Sequence, residues 1–145
     1  MPNPPPGKYV APGKSLRKLL CAEDDPDLRL ILEAALGLGD LEDVMCESGI
    51  ELLGNLDSCA PDLLLLDVMM PGLDGPATLT ELRKRVPPNE TPVIFVTARR
   101  QASEVRDYLG LGALAVIPKP FDLATLAQRI KDIWREHGGM TQESR

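Results

Sequence analysis

Aromatic residues are scarce in this chain of 145 residues, at 3% of the sequence against 43% for hydrophobic residues as a whole. Leucine, valine, isoleucine and alanine must therefore build the core. Basic residues are fewer than acidic ones, and the net charge of -6 argues against a nucleic-acid surface. No apolar run approaches the roughly 18 residues of a membrane helix, and the basic-then-apolar pattern of a secretory signal is missing. These absences predict one cytoplasmic domain.

Cysteine and histidine are also rare. The three cysteines are odd in number and show no C-x-x-C spacing, so we interpret them as reduced packing residues rather than a metal or redox site. The single histidine, His137, falls near the end of the last predicted helix, where a cation suits the helix dipole. A phosphohistidine donor within this chain is therefore not expected.

The two ends of the chain differ in composition from the middle. Five prolines and two glycines crowd the first 13 residues, which predicts a Pro-rich disordered tail over residues 1–14. This tail is either a docking peptide or a simple overhang. Residues 138–145 are predicted to form a polar C-terminal tail, and residues 15–137 the folded domain.

Between these tails, apolar strand patterns alternate with amphipathic helix patterns. We predict strands at 16–22, 43–47, 63–66, 92–96 and 113–117, and helices at 26–38, 50–56, 76–86, 102–109 and 123–137. The four leucines at 63–66 are typical of a strand that is buried on both faces, as in parallel sheets covered by helices. The alternation predicts an α/β fold with a five-stranded parallel sheet and helices on both faces.

Polar residues follow the strands at the points where they end. Because the carboxyl ends of parallel strands gather at one edge of the sheet, we expect these residues to converge. They are Glu23, Asp24 and Asp25 after the first strand, Asp67 after the third, Thr97 and Ala98 after the fourth, and Lys119 after the fifth.

Such an edge has a recognisable chemistry. Carboxylates that lie close together repel each other unless a cation intervenes, and oxygen ligands suit Mg²⁺, for which Mn²⁺ can substitute. An aspartate can act as a nucleophile toward phosphorus. The transferred phosphoryl group then needs positive charge and hydrogen-bond donors, which Lys119 and Thr97 would supply.

With these residues, the chain resembles the receiver domains of two-component response regulators. The resemblance rests on residues 22–29 (AEDDPDLR), 63–75 (LLLLDVMMPGLDG), 96–98 (VTA) and 119–121 (KPF). It spans about residues 16–137. It implies a flavodoxin-like (βα)₅ fold with strand order 2-1-3-4-5. It also implies that a sensor histidine kinase or a histidine phosphotransfer protein donates a phosphoryl group to Asp67.

The resemblance also implies roles for individual residues. Mg²⁺ would be bound by Asp24, by Asp67, by the backbone carbonyl of Met69, and by Glu23 through a water. After transfer, the phosphoryl group would meet Thr97, Ala98 and Lys119, with a cis peptide bond between Lys119 and Pro120. The chain would not be a turnover enzyme, because it performs only self-catalysed phosphotransfer and slow autodephosphorylation.

One position departs from the family pattern. Three residues before the lysine the family often has an aromatic side chain that turns inward, and here that position is Val116. A β-branched valine has one strongly preferred rotamer and no ring. We therefore expect any output switch to use backbone shifts around the fourth helix and the fifth strand.

Few residues follow the last predicted helix, so we expect a single-domain regulator with no DNA-binding module that acts on an unknown protein target. Output, and any homodimer, would use the face of the fourth helix, the fifth strand and the fifth helix.

Two alternative functions remain. An Asp-nucleophile phosphatase would usually have a second aspartate where Met69 stands, and a pseudo-receiver would usually have lost part of the acidic pocket.

Two variable positions would set the lifetime of the phosphorylated state. We hypothesise that Met69 shields the acyl phosphate and that Arg99 reaches across the mouth of the pocket. Dephosphorylation should then be faster in Met69→Ala and in Arg99→Ala than in the wild type, as measured by loss of the phosphate adduct. Slower dephosphorylation in either variant would contradict the hypothesis.

Overall fold

The computed structural model describes residues 10–85, 87, 89–98 and 101–141. Strands and helices alternate through most of this range. The strands are β1 (Ser15–Leu16), β2 (Lys18–Ala22), β3 (Glu42–Cys46), β4 (Leu63–Asp67), β5 (Val93–Thr97), β6 (Ala115–Pro118) and β7 (Met140–Thr141). The helices are α1 (Pro26–Leu38), α2 (Gly49–Cys59), α3 (Gly75–Arg83), α4 (Ala102–Gly110) and α5 (Leu126–Glu136).

Five strands form one parallel sheet in the order β3-β2-β4-β5-β6. Counted along these five strands alone, the order is 2-1-3-4-5, so the predicted architecture is confirmed. β4 lies at the centre, with Leu64 opposite Leu20 on one side and Val93 on the other. All five residues of β4 are buried, as its leucine run predicts.

The helices cover both faces of this sheet. α1 and α5 pack on one face, where Leu36, Ile130 and Trp134 join the buried cluster. α2, α3 and α4 pack on the other face, where the cluster includes Leu52, Leu79 and Tyr108. The three cysteines are buried, and burial raises the pKa of the Cys46 thiol to about 11, which keeps this thiol protonated.

Both ends of the domain differ from the sequence prediction. The short strands β1 and β7 pair in parallel, although residues 138–145 were expected to be a tail. Val10, which was placed in the Pro-rich tail, is buried in the core. The indole of Trp134 donates to the carbonyl of Lys14 at 2.9 Å. Apolar contacts and backbone pairing between distant segments therefore extend the folded unit past both predicted boundaries; the tail residues 1–9 and 142–145 lie outside the described ranges.

Most predicted elements begin or end one to three residues away from their observed limits, and two of these differences have a clear cause in the hydrogen bonding. The first predicted strand is divided at Arg17, because the Asp62 carboxylate accepts hydrogen bonds from the backbone of Arg17 (2.9 Å) and Lys18 (3.0 Å). The last helix begins at Leu126 rather than at 123, since Asp122 forms a turn before it and accepts from the backbone of Ala124 at 2.9 Å. Among the described helices, none is long and apolar enough to cross a membrane.

Candidate functional site

Asp67 is the last residue of the central strand β4, and it is buried. One of its carboxylate oxygens, Oδ2, lies 3.0 Å from the ammonium of Lys119. The other, Oδ1, accepts a hydrogen bond of 3.3 Å from the backbone N–H of Met69. A charged carboxylate is thus held at the carboxyl end of the sheet by a cation and a backbone donor, which is where open α/β sheets place their ligands.

Asp67 is joined there by two more carboxylates. Glu23, Asp24 and Asp67 each present an oxygen, and these three oxygens lie within 4.8 Å of one another. Glu23 is buried, with 2% of its surface exposed, whereas Asp24 is exposed. The predicted convergence of the acidic residues is therefore present, and it combines two buried carboxylates with one that faces solvent.

The loop between β2 and α1 positions this acidic group. Asp25 is the N-cap of α1, where its Oδ1 accepts from the backbone N–H of Asp27 at 2.9 Å. The backbone N–H of Asp25 in turn donates to Glu23 Oε2 at 3.1 Å. On the outer side of the loop, the Arg29 guanidinium donates to the backbone carbonyls of Glu23 and Asp24.

Lys119 bridges the two buried carboxylates. Its Nζ lies 2.7 Å from Glu23 Oε1 and 3.0 Å from Asp67 Oδ2. Its backbone N–H donates to the carbonyl of Thr97 at 2.8 Å, which fixes the loop after β6 against the end of β5. The Lys119–Pro120 peptide bond is cis, as the resemblance implies.

The electrostatics of this group are unbalanced. Burial raises the pKa of Glu23 above its ordinary value, although the hydrogen bond from Lys119 opposes the shift. Burial also works against the charge of Lys119, but its hydrogen bonds to Glu23 and Asp67 outweigh that cost and raise its pKa. Three carboxylates thus lie together with one ammonium, which contacts only two of them, and a further cation would relieve their mutual repulsion.

The start of α3 closely approaches the end of β4. Asp74 caps this helix by accepting from the backbone N–H of Ala77 at 2.8 Å. The next residue must be glycine, because a Cβ on Gly75 would lie only 2.6 Å from the backbone oxygen of Asp67 and 2.9 Å from the Cα of Val68. The side chain of Met69 points outward and is exposed, while its backbone donates to Asp67.

The positions that the sequence analysis associated with a switch lie on or next to the neighbouring strands β5 and β6. Thr97 is fully buried at the end of β5, and the next residue, Ala98, is exposed; Arg99 lies outside the described residues. Val116 is half-buried and directly opposite Phe95 in the β5–β6 register. The Phe95 ring packs edge-on against Tyr108 of α4, with ring centroids 5.6 Å apart.

The family model for the response regulator receiver domain matches residues 19–131. The chain belongs to the response regulator receiver family. A curated relative, the transcriptional regulatory protein CpxR of Klebsiella pneumoniae, is 41% identical over 122 residues, which are 83% of this chain and 50% of CpxR. The receiver chain thus spans about half the length of this relative.

Solved receiver domains have the same fold. The receiver domain of the Francisella response regulator 1452 is 27% identical and superposes with a TM-score of 0.74, covering 83% of this chain and 98% of that one. The BeF3-activated N-terminal receiver domain of Klebsiella pneumoniae RstA is 30% identical, with a TM-score of 0.71, and covers 83% of this chain and 97% of that one.

Three features of the receiver site had no role in the sequence analysis. Arg29 and Gly75 belong to the matching motifs but were given no role, and Tyr108 lies in a predicted helix to which no function was assigned. The signal for Gly75 was its place after a capping aspartate. The roles of Arg29 and Tyr108 could not be predicted from sequence. The partners of Arg29 are 5 to 18 residues away along the chain, and the partner of Tyr108 lies on strand β5.

Replacement of Lys119 by methionine should destabilise the protein in Mg²⁺-free buffer. The substitution leaves Glu23 and Asp67 as buried, uncompensated charges. We expect a loss of about 2 kcal/mol in the free energy of unfolding, below the ~3–5 kcal/mol for fully buried pairs because Lys119 keeps some solvent contact. Urea unfolding measures the loss, with the exposed Lys84→Met as a matched control.

The pH dependence of this deficit follows from the raised pKa of Glu23. The folded state holds the Glu23 proton at a pH where the unfolded state has released it, so the cost of the buried charge disappears as pH falls through the raised pKa toward 4.5. The Lys119→Met deficit should therefore shrink with acidification. A deficit that grows on acidification would contradict this electrostatic account.

Proposed function

We propose that Asp67 accepts a phosphoryl group from the phosphohistidine of a sensor histidine kinase or a histidine phosphotransfer protein. The observation that supports this most is the convergence of Glu23, Asp24, Asp67 and Lys119 at the carboxyl end of the sheet. In the reaction, a carboxylate oxygen of Asp67 bonds to phosphorus, the N–P bond of the donor breaks, and the imidazole leaves with its electron pair.

The residues present fit a divalent metal. Three carboxylates against one ammonium leave excess negative charge, and hard oxygen ligands suit Mg²⁺ or Mn²⁺. Asp24, Asp67 and the Met69 carbonyl would hold the ion directly, and Glu23 through water. When bound, the metal would supply positive charge that offsets the charge of the incoming phosphoryl oxygens.

The chain's own groups would complete the reaction. Lys119 lies 3.0 Å from Asp67 and can pair with a phosphoryl oxygen on the same carboxylate. Thr97, at the end of the adjacent strand, would donate its hydroxyl, and the backbone of Ala98 would contact the group. Met69 bears no proton donor or acceptor in its side chain, which favours slow hydrolysis over the turnover of an aspartate-based phosphatase.

Incubation with acetyl phosphate and Mg²⁺ tests the phosphoacceptor. We expect a phosphate adduct by intact mass in the wild type, its loss in Asp67→Asn, and its loss when a chelator removes the metal. Asp57→Asn, an exposed carboxylate on α2, is the matched control and should keep the adduct. No adduct in the wild type would favour a pseudo-receiver, and rapid turnover of a generic phosphoester would favour a phosphatase.

Output would pass to a protein partner, or to a second copy of the chain, through the face of α4, β6 and α5. Val116 offers no ring, but Phe95 beside it lies two residues before Thr97 on the same face of the sheet. Phe95 also borders Gly75, whose backbone N–H donates to the carbonyl of Val68, the residue after Asp67, at 3.0 Å. Tyr108 packs on Phe95 from α4. Backbone shifts at Asp67 and Thr97 would therefore reach α4 through this aromatic pair.

Beryllofluoride, a phosphoryl mimic, can test this route by amide chemical shifts in NMR. Tyr108→Leu should keep the changes near Thr97 but weaken those in α4 and β6. The lost ring contact costs only about 0.5–1.5 kcal/mol, so the fold should persist. Val105→Ala, on the same helix, is the control. Equal changes in α4 for Tyr108→Leu and wild type would reject the route.

A further inference from the structure

Arg29 makes three contacts around the acidic loop from the first turns of α1. Its Nη1 donates to the backbone carbonyl of Glu23 at 2.8 Å and to that of Asp24 at 3.1 Å. Its Nη2 lies 3.3 Å from Glu47 Oε1. The side chain of Arg29 is only 18% exposed, against 70% for Glu47. Most of the guanidinium is therefore committed to the loop and not to solvent.

These contacts involve the backbone of the two residues whose side chains enter the acidic group. Glu23 and Asp24 direct their carbonyls toward Arg29, and their carboxylates meet Asp67 within 4.8 Å. Two consecutive carbonyls that face one donor cannot rotate freely, because each would lose its hydrogen bond. At the start of the loop, the backbone N–H of Glu23 donates to Cys46 at 3.0 Å, so the main chain is held at both sides.

We propose that Arg29 is a positioning residue for the divalent metal site. It fixes the backbone of Glu23 and Asp24 so that their carboxylates are already convergent when the ion arrives. The loop then loses little conformational freedom on binding, which is the usual contribution of groups that orient metal ligands from behind. This inference rests on the proposed function, because it concerns the same acidic pocket.

The direction in which the metal affinity changes when Arg29 is replaced distinguishes a positioning role from a purely electrostatic one. A guanidinium near the acidic pocket repels a divalent cation, so a pure charge effect makes metal binding tighter when Arg29 is removed. Positioning makes it weaker. Lysine keeps the charge but, as a point charge, cannot reproduce the planar fork that reaches both carbonyls and Glu47. Arg29→Lys therefore tests geometry at constant charge.

Isothermal titration calorimetry with Mg²⁺ alone measures the affinity. We expect about 10-fold weaker binding in both Arg29→Ala and Arg29→Lys, at the lower end of the ~10–100-fold range for groups that orient metal ligands. Glu47→Gln removes only the exposed ion pair and should stay within about twofold of the wild type. In the acetyl phosphate reaction, the Mg²⁺ concentration that gives the half-maximal rate should rise by the same factor in both Arg29 variants. Their phosphorylation rate should return to the wild-type value at high Mg²⁺.

The possible outcomes distinguish failure of the proposed role of Arg29 from failure of the proposed metal site. No Mg²⁺ binding to the wild type overturns the metal site and this inference together. Binding to the wild type with unchanged or tighter affinity in Arg29→Lys overturns the role of Arg29 alone. Circular dichroism checks folding; if Arg29→Ala does not fold, the milder Arg29→Lys decides. If the Arg29 variants lose stability but keep their affinity for Mg²⁺, Arg29 only stabilises the fold, and the proposal is rejected.

Discussion

The shared ion pair of Lys119 with Glu23 and Asp67 is the interaction on which the site depends. Two buried carboxylates at the ends of neighbouring strands would repel each other without it, and burial makes that repulsion costly. One ammonium offsets part of this charge, and the exposed Asp24 adds a third carboxylate. The ion pair thus stabilises the site but leaves excess negative charge, which a bound metal ion would neutralise.

The rest of the domain can be understood as the scaffold for this arrangement. The parallel sheet brings residues 23, 67, 97 and 119 to one edge from four separate parts of the chain. Gly75 lets α3 begin directly against Asp67, and Arg29 holds the acidic loop from the side of α1. On the α4 side, Phe95 and Tyr108 fill the space beside Val116 with aromatic surface. Each contact restrains one of the backbone segments that meet at the pocket.

Much of this could be predicted from sequence where the signal is local. Four leucines followed by an aspartate predicted the central buried strand and its terminal carboxylate, and the amphipathic pattern over 26–38 predicted α1 with its observed limits. The ends of the domain were predicted wrongly. Val10 and the β1–β7 pair owe their order to contacts across more than 100 residues, and a proline-rich or polar composition gives no sign of such partners.

By itself, the sequence determined the order of the helices and of the five strands of the main sheet, the identity of the polar residues at each strand end, and the absence of an aromatic at position 116. These follow from hydrophobic periodicity and from residue chemistry, which are local properties. Only the tertiary structure decided that one lysine forms ion pairs with two carboxylates, that Arg29 donates hydrogen bonds to the acidic loop, and that Tyr108 packs on Phe95. Distances between groups far apart in the chain depend on how strands and helices pack, and no short window of sequence contains that information.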